Sequence, residues 1–218
     1  MASLLELGTP TDLMEISQEL KRRVTARGLG PPRDFEAWAE RITVDHPADR
    51  ALVIPGGTRI DGDLQLDYDG LLEHRIGTVA VLGNLTVSGK IINADSDGGP
   101  FFYVDGDVTA AGIEKGGGSF IVLGSVRSSG VVLCDYDHGT LLVGGDLSAP
   151  AVIINDQEVY VGGQMMGTIV NSDDGNMRDV LVEDVFDDPE DPDCDTPEGD
   201  LLRERLAEGL PLLKDGSA

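Results

Sequence analysis

The sequence predicts a mainly β protein: a right-handed parallel β-helix, or β-solenoid, of about six coils, with helical caps at its N-terminal and C-terminal ends. Three observations predict it. Glycine followed by a polar and then an aliphatic residue marks six anchors, Gly62-Asp63-Leu64, Gly83-Asn84-Leu85, Gly106-Asp107-Val108, Gly124-Ser125-Val126, Gly145-Asp146-Leu147 and Gly163-Gln164-Met165, with successive glycines 21, 23, 18, 21 and 18 residues apart. Short strand-forming runs such as TVAVL, SFIVL and GTLLV precede most of these anchors, and apolar pairs such as those in KIIN, VVLC and VIIN follow them. The composition also turns abruptly to Gly, Val, Ile, Leu and Asp at Ala51. Two or three short strands in each period of about twenty residues suit a column in which every coil buries its inward side chains against the coils above and below.

Residues 1–50 form the expected N-terminal cap. A helix over residues 11–29 follows from Leu13, Ile16, Leu20 and Val24 at three- and four-residue spacing, with Asp12 and Glu15 placed as a capping box and glycines and prolines closing it. A second, over residues 33–42, would put Phe35, Trp38 and Ile42 on one face behind the Pro31-Pro32 pair. The coils occupy residues 51–178. Glycine at each anchor suits a corner that needs positive φ or close backbone approach, and the polar residue after it is placed to hydrogen-bond its own turn. Asn93, Asp135 and Asn155 fall ten or eleven residues after their anchors, which predicts one ladder of amides and carboxylates down a corner. In Phe101-Phe102-Tyr103 the alternation of a strand must turn at least one ring outward, which makes it a candidate contact patch.

Residues 179–200 read as an acidic linker, because residues 183–200 hold ten acidic residues, three prolines and no basic residue. Helical spacing returns in residues 201–218, where Leu202, Leu206 and Leu210 form a stripe that Pro211 stops; docking back on the solenoid is the expected role.

Charge narrows the function classes. The chain carries 40 Asp and Glu against 16 Lys and Arg, a net charge of -24, which repels nucleic acid and anionic membrane and favours basic protein partners. The two cysteines, Cys134 and Cys194, make neither a disulfide framework nor zinc knuckles. No stretch reaches the length of a membrane span and the N-terminus lacks a secretory pattern, so a cytoplasmic protein is expected.

The residue clusters point away from catalysis. Asp-x-Asp-Gly occurs at residues 67–70 and 95–98, with a one-residue insertion at 135–139, but none of these loops has the twelfth-position Glu of an EF-hand. Cys134 and His138 supply two zinc ligands where a structural site wants four. His138 beside Asp135 and Asp137 has no nucleophile in a strained elbow to serve. The expectation is a non-enzyme with no cofactor and no metal.

On its six anchors, across residues 52–170, the chain resembles the bactofilin or polymer-forming β-helix proteins, and it is similar to solenoid immunity proteins of bacterial polymorphic toxin systems. The first resemblance implies a self-assembling scaffold of regular, uncapped coils. The second implies a discrete monomer or small homo-oligomer that plugs a toxin. Irregular Asp-rich insertions and helix-forming ends depart from the bactofilin pattern, so the primary expectation is an immunity protein or inhibitor that blocks a basic partner, with the polymer-forming scaffold as the alternative. The expected contact residues are the acidic corner, Asp95, Asp97, Asp135, Asp137 and Asp156, with Tyr136 as an aromatic anchor. Mimicry of nucleic acid by residues 183–200 is a third possibility.

Overall fold

The computed structural model describes residues 4–26, 49–66, 68–95, 98–135, 139–175, 177–188 and 196–214. The expected helix over residues 33–42, and Asp97, Tyr136, Asp137, His138 and Cys194, lie outside the described residues.

After a 3-10 turn at Leu4–Glu6 come β1 (Thr9–Asp12) and α1 (Leu13–Ala26). The stacked strands then follow: β2 (Arg50–Pro55), β3 (Thr58–Ile60), β4 (Leu64–Gln65), a short helix α2 (Tyr68–Leu72), β5 (Ile76–Leu82), β6 (Leu85–Val87), β7 (Lys90–Asn93), β8 (Phe101–Val104), β9 (Val108–Ala110) and β10 (Gly112–Lys115). The column continues with β11 (Phe120–Val122), β12 (Val126–Ser128), β13 (Val132–Asp135), β14 (Thr140–Val143), β15 (Leu147–Asn155), β16 (Glu158–Val161) and β17 (Met165–Asn171). Helices α3 (Met177–Val180) and α4 (Gly199–Glu208) complete the chain.

Parallel strands stack coil on coil into a β-solenoid. One sheet has the order β1-β2-β5-β8-β11-β14-β16, parallel from β2 onward. The other runs β3-β6-β9-β12-β15-β13-β10-β7-β4, with β17 paired to β15; the long strand β15 therefore joins two faces, β3 to β12 on one side and β13 to β4 on the other. Register carries like residues into rows. Ile54, Val81, Val104, Val122, Val143 and Val161 stack down the inside of the first sheet.

The anchors show why glycine and a polar residue travel together. Asn84 Oδ1 accepts the Asp107 N–H (2.9 Å), Asp107 Oδ1 that of Ser125 (2.8 Å), Ser125 Oγ that of Asp146 (3.1 Å) and Asp146 Oδ1 that of Gln164 (2.9 Å). Each of these polar side chains thus bonds the next coil, which corrects the sequence expectation that it bonds its own turn. The next coil's glycine makes room: a Cβ on Gly124 would come within 2.4 Å of Asp107 Oδ1, and one on Gly163 within 2.2 Å of Asp146 Oδ1.

The terminal segments lie along the sides of the column. Leu20 and Val24 of α1 are buried against Ala80, Tyr103, Ile121 and Leu142, which form the outward row of the first sheet. That sheet is therefore apolar on both faces, which is why its strands read as unbroken aliphatic runs. It also corrects the expected aromatic patch: Phe101 and Tyr103 do turn outward, but α1 covers them. Arg23 pairs with Asp105, and Glu19 accepts from Arg22 and Arg23, which hold its carboxyl down to about 2. On the other side Met177, Leu181, Val185, Phe186, Leu202 and Leu212 pack on Leu133, Ile153 and Val170. Of the helix expected over residues 201–218, the structure forms α4 (Gly199–Glu208), which docks on the solenoid through Leu202, whereas Val185 and Phe186, placed in the linker by composition, are buried anchors. At the start of the column Leu4, Leu5 and Leu7 pack against the core and β1 pairs antiparallel with β2.

Candidate partner-binding surface

The predicted corner ladder splits into two rows. Asn93 aligns with Lys115, Lys115 with Cys134 and Cys134 with Ile154, whereas Asp135 aligns with Asn155 one residue further on. A one-residue offset sends the rows to opposite faces. Asn93, Lys115 and Cys134 are fully buried. Asn93 Oδ1 accepts from Gly118 N–H (3.1 Å). Lys115, 0% exposed, donates to Gly116 O (3.0 Å) and Gln157 Oε1 (2.6 Å) and sits 5.9 Å from the centre of the Phe120 ring. Burial pushes the Lys115 amine down to about 8 and the Cys134 thiol up to about 11.

The other row lies beneath the C-terminal segment. Asp135 is only 4% exposed; it accepts from Asn155 Nδ2 (2.7 Å), and Arg203 Nη2 approaches its Oδ2 to 2.7 Å as an ion pair without hydrogen-bond geometry. Gly199 sits directly on the carboxylate, since a Cβ there would fall 2.0 Å from Asp135 Oδ2. Asn155 also donates to Pro197 O (3.2 Å). Asp135, expected as a contact for a basic partner, is thus already engaged by a basic side chain of its own chain. Lys90 forms a second latch, pairing with Glu114 (2.7 Å) and donating to Leu206 O near the end of α4 (3.2 Å).

Of the expected contact residues, Asp95 and Asp156 are on the surface. Among the described residues the face formed by β3, β6, β9 and β12 carries no helix, but its outward row is Arg59, Thr86, Thr109, Arg127 and Ser148, which gives no acidic stripe. Exposed acid instead gathers at the far end of the column, where Asp156, Glu158, Asp173 and Asp174 lie within a stretch, Asp156 to Asp174, that has no Lys or Arg. Apolar side chains surface at the same end: Tyr160 is 48% exposed, Met166 40%, and Val159, Val161, Met165 and Ile169 are partly buried. The sequence reading missed this end because its strand pattern matches that of the coils before it; the signal was that no such triplet falls 18 to 23 residues after Gly163.

Asp69, from the first Asp-x-Asp-Gly, lies in the helix α2 rather than in a loop. Among the described residues no three His, Cys, Asp or Glu side chains are grouped to hold a metal ion, and no helix is long and apolar enough to cross a membrane. The fold and these surfaces define a β-solenoid clad on two sides by its own termini. No family model, no characterised protein and no solved structure matches the chain.

Proposed function

We propose that this chain is a non-enzymatic binding protein of the cytoplasm that blocks a basic protein partner, in the manner of an immunity protein or toxin inhibitor. The observation that carries this is the net charge of -24, with surface carboxylates such as Asp95 and Asp156 held on a rigid parallel column. Complementary potential steers a basic partner to such a surface and raises its association rate. We take the column as six right-handed coils, one for each glycine anchor, with the terminal segments keeping it discrete.

The alternative, a polymer-forming scaffold, draws support from the strand edge at β16, which ends its sheet among the described residues. Against it stands the other end, where β1 pairs antiparallel with β2 and Leu4, Leu5 and Leu7 cover the core. Mass in solution over a hundredfold concentration range, by light scattering after size exclusion, separates the two. A constant monomer or small oligomer is expected; growth into large species would overturn the inhibitor proposal. Once a basic partner is in hand, Asp95→Lys with Asp156→Lys should weaken binding and flatten its salt dependence, and an unchanged affinity would refute the role of these residues.

A further inference from the structure

We infer that α4 is a placeholder: a basic amphipathic helix of the partner displaces it and takes over the leucine socket and the Asp135–Asn155 rung that Leu202 and Arg203 now fill. This rests on the proposed binding of a basic partner and assigns the place and mode of contact. What α4 puts into the site defines the chemistry of the incoming helix. Leu202 is its one fully buried side chain and packs with Leu133, Ile153, Val185 and Phe186. Arg203 pairs with Asp135 (2.7 Å), which also accepts from Asn155, and more loosely with Asp200 of its own turn (3.6 Å). Gly199, four residues before Arg203, lies on the Asp135 carboxylate, so the incoming helix needs a small residue there. Lys90 donates to Leu206 O, and a cation beside the last carbonyls suits the C-terminus of any helix lying in that direction.

Its own helix fills this site poorly. Among the described residues Arg203 Nε and Nη2 and Asn155 Oδ1 are buried without a hydrogen-bond partner, a cost that a better-seated guanidinium would recover. The Glu198 N-cap makes no side-chain cap bond. Asp200, Glu204 and Glu208 recur at four-residue spacing, so α4 carries three acids against two arginines, repels itself along one stripe and ends on an anion at its negative pole. All three acids are exposed on a chain of net charge -24, where lysines at the same places would be attracted instead. A helix with the same Leu-Arg pair and a basic outer stripe therefore fits better than α4. Tethered in cis, α4 competes at an effective concentration of about a millimolar, so displacement requires that better match. The α4 of a second copy is the rival occupant, but it brings the same three acids on a body of the same charge.

The test uses the full chain and two synthetic peptides spanning residues 199–214, both with Glu204→Lys and Glu208→Lys; one keeps Leu202 and the other, of equal charge, has Leu202→Ser. Binding is measured by calorimetry, and amide hydrogen exchange is followed across α4 and at Leu133 and Ile153. The expected result is that the leucine peptide binds at least tenfold more tightly than the serine peptide and speeds exchange across α4 at least tenfold, while Leu133 and Ile153 stay protected. Exchange rises because a released helix of 10 residues does not hold alone in water. Equal binding by the two peptides, or binding with unchanged exchange in α4, would overturn the placeholder and leave a basic partner bound elsewhere. Binding by neither would also overturn it, and the charge reversal of Asp95 and Asp156 judges the basic-partner reading separately. A free chain of twice the monomer mass whose α4 amides open only on dilution would put a second copy's helix in the site, and the inference fails. In the full chain Glu204→Lys with Glu208→Lys, both at exposed positions, should weaken the leucine peptide at least tenfold, since the occupant in cis then has the same complementarity; an unchanged affinity refutes the inference.

Discussion

Replacing Lys115 with methionine should stabilise this protein at neutral pH, although the lysine makes two hydrogen bonds. The amine is 0% exposed and, among the described residues, no carboxylate pairs with it; its acceptors are Gly116 O and Gln157 Oε1. Burial lowers its pKa from 10.5 to about 8, and at about 1.4 kcal/mol per tenfold change in proton affinity the charged form costs the fold about 3 kcal/mol. Methionine keeps the volume and removes that cost, while leaving Gln157 Oε1 without its donor takes back about 1–2 kcal/mol. The net expectation at pH 7 is a gain of about 1–2 kcal/mol. Because the folded pKa lies below the unfolded one, the unfolded chain binds more protons between pH 8 and 10.5, so the wild-type penalty is full below 8 and fades as pH rises to 10.5. Cys134 acts oppositely: its thiol, raised from 9.0 to about 11, makes stability fall from pH 9 to 11. Wild-type stability should therefore rise from pH 8 to 9 and level off above it, while Lys115→Met loses the rise. Urea melts of both proteins at pH 7, 8, 9 and 10 measure this. A variant destabilised by 2 kcal/mol or more at pH 7, with the same difference at pH 10, would show that the two hydrogen bonds outweigh desolvation and would refute the reasoning.

Arg203→Met should cost about 3–5 kcal/mol in urea denaturation, because it leaves Asp135 buried beneath Gly199 with no cation; adding Asp135→Asn should recover most of the loss, and failure to recover would mean that Arg203 acts through packing. Gly124→Ala should destabilise by about 1–3 kcal/mol, since the new Cβ meets both Asp107 Oδ1 and the Gly106 backbone, and a neutral effect in thermal melts would dismiss the close-approach explanation of the anchors.

The solenoid was legible in the sequence because its signal is periodic. Glycines 18 to 23 residues apart, each with a polar and an aliphatic residue after it, mark where every coil turns, and the stacked inner row from Ile54 to Val161 follows from that spacing. What spacing left open was direction within a coil. Asn93 and Asn155 each fall ten residues after their anchors, yet strand register puts Asn93 in the row of Lys115 and Cys134 inside the column and Asn155 opposite Asp135 beneath the C-terminal segment. The polar anchor residues were recognised as turn formers, but their acceptor role reaches the next coil, a relation between residues about twenty apart that no local pattern encodes.

The apolar runs held more than was taken from them. TVAVL, FFYV and SFIVL do not alternate, and a strand of a one-sided sheet with a solvated outer face would. Unbroken apolarity on the first sheet therefore demands an outer cover, and α1, with Leu20 and Val24 on one face, is that cover. EVYV departs from the runs before it: Glu158 stands in register with Thr140 and Tyr160 with Leu142, and Tyr160 is exposed where Leu142 is buried.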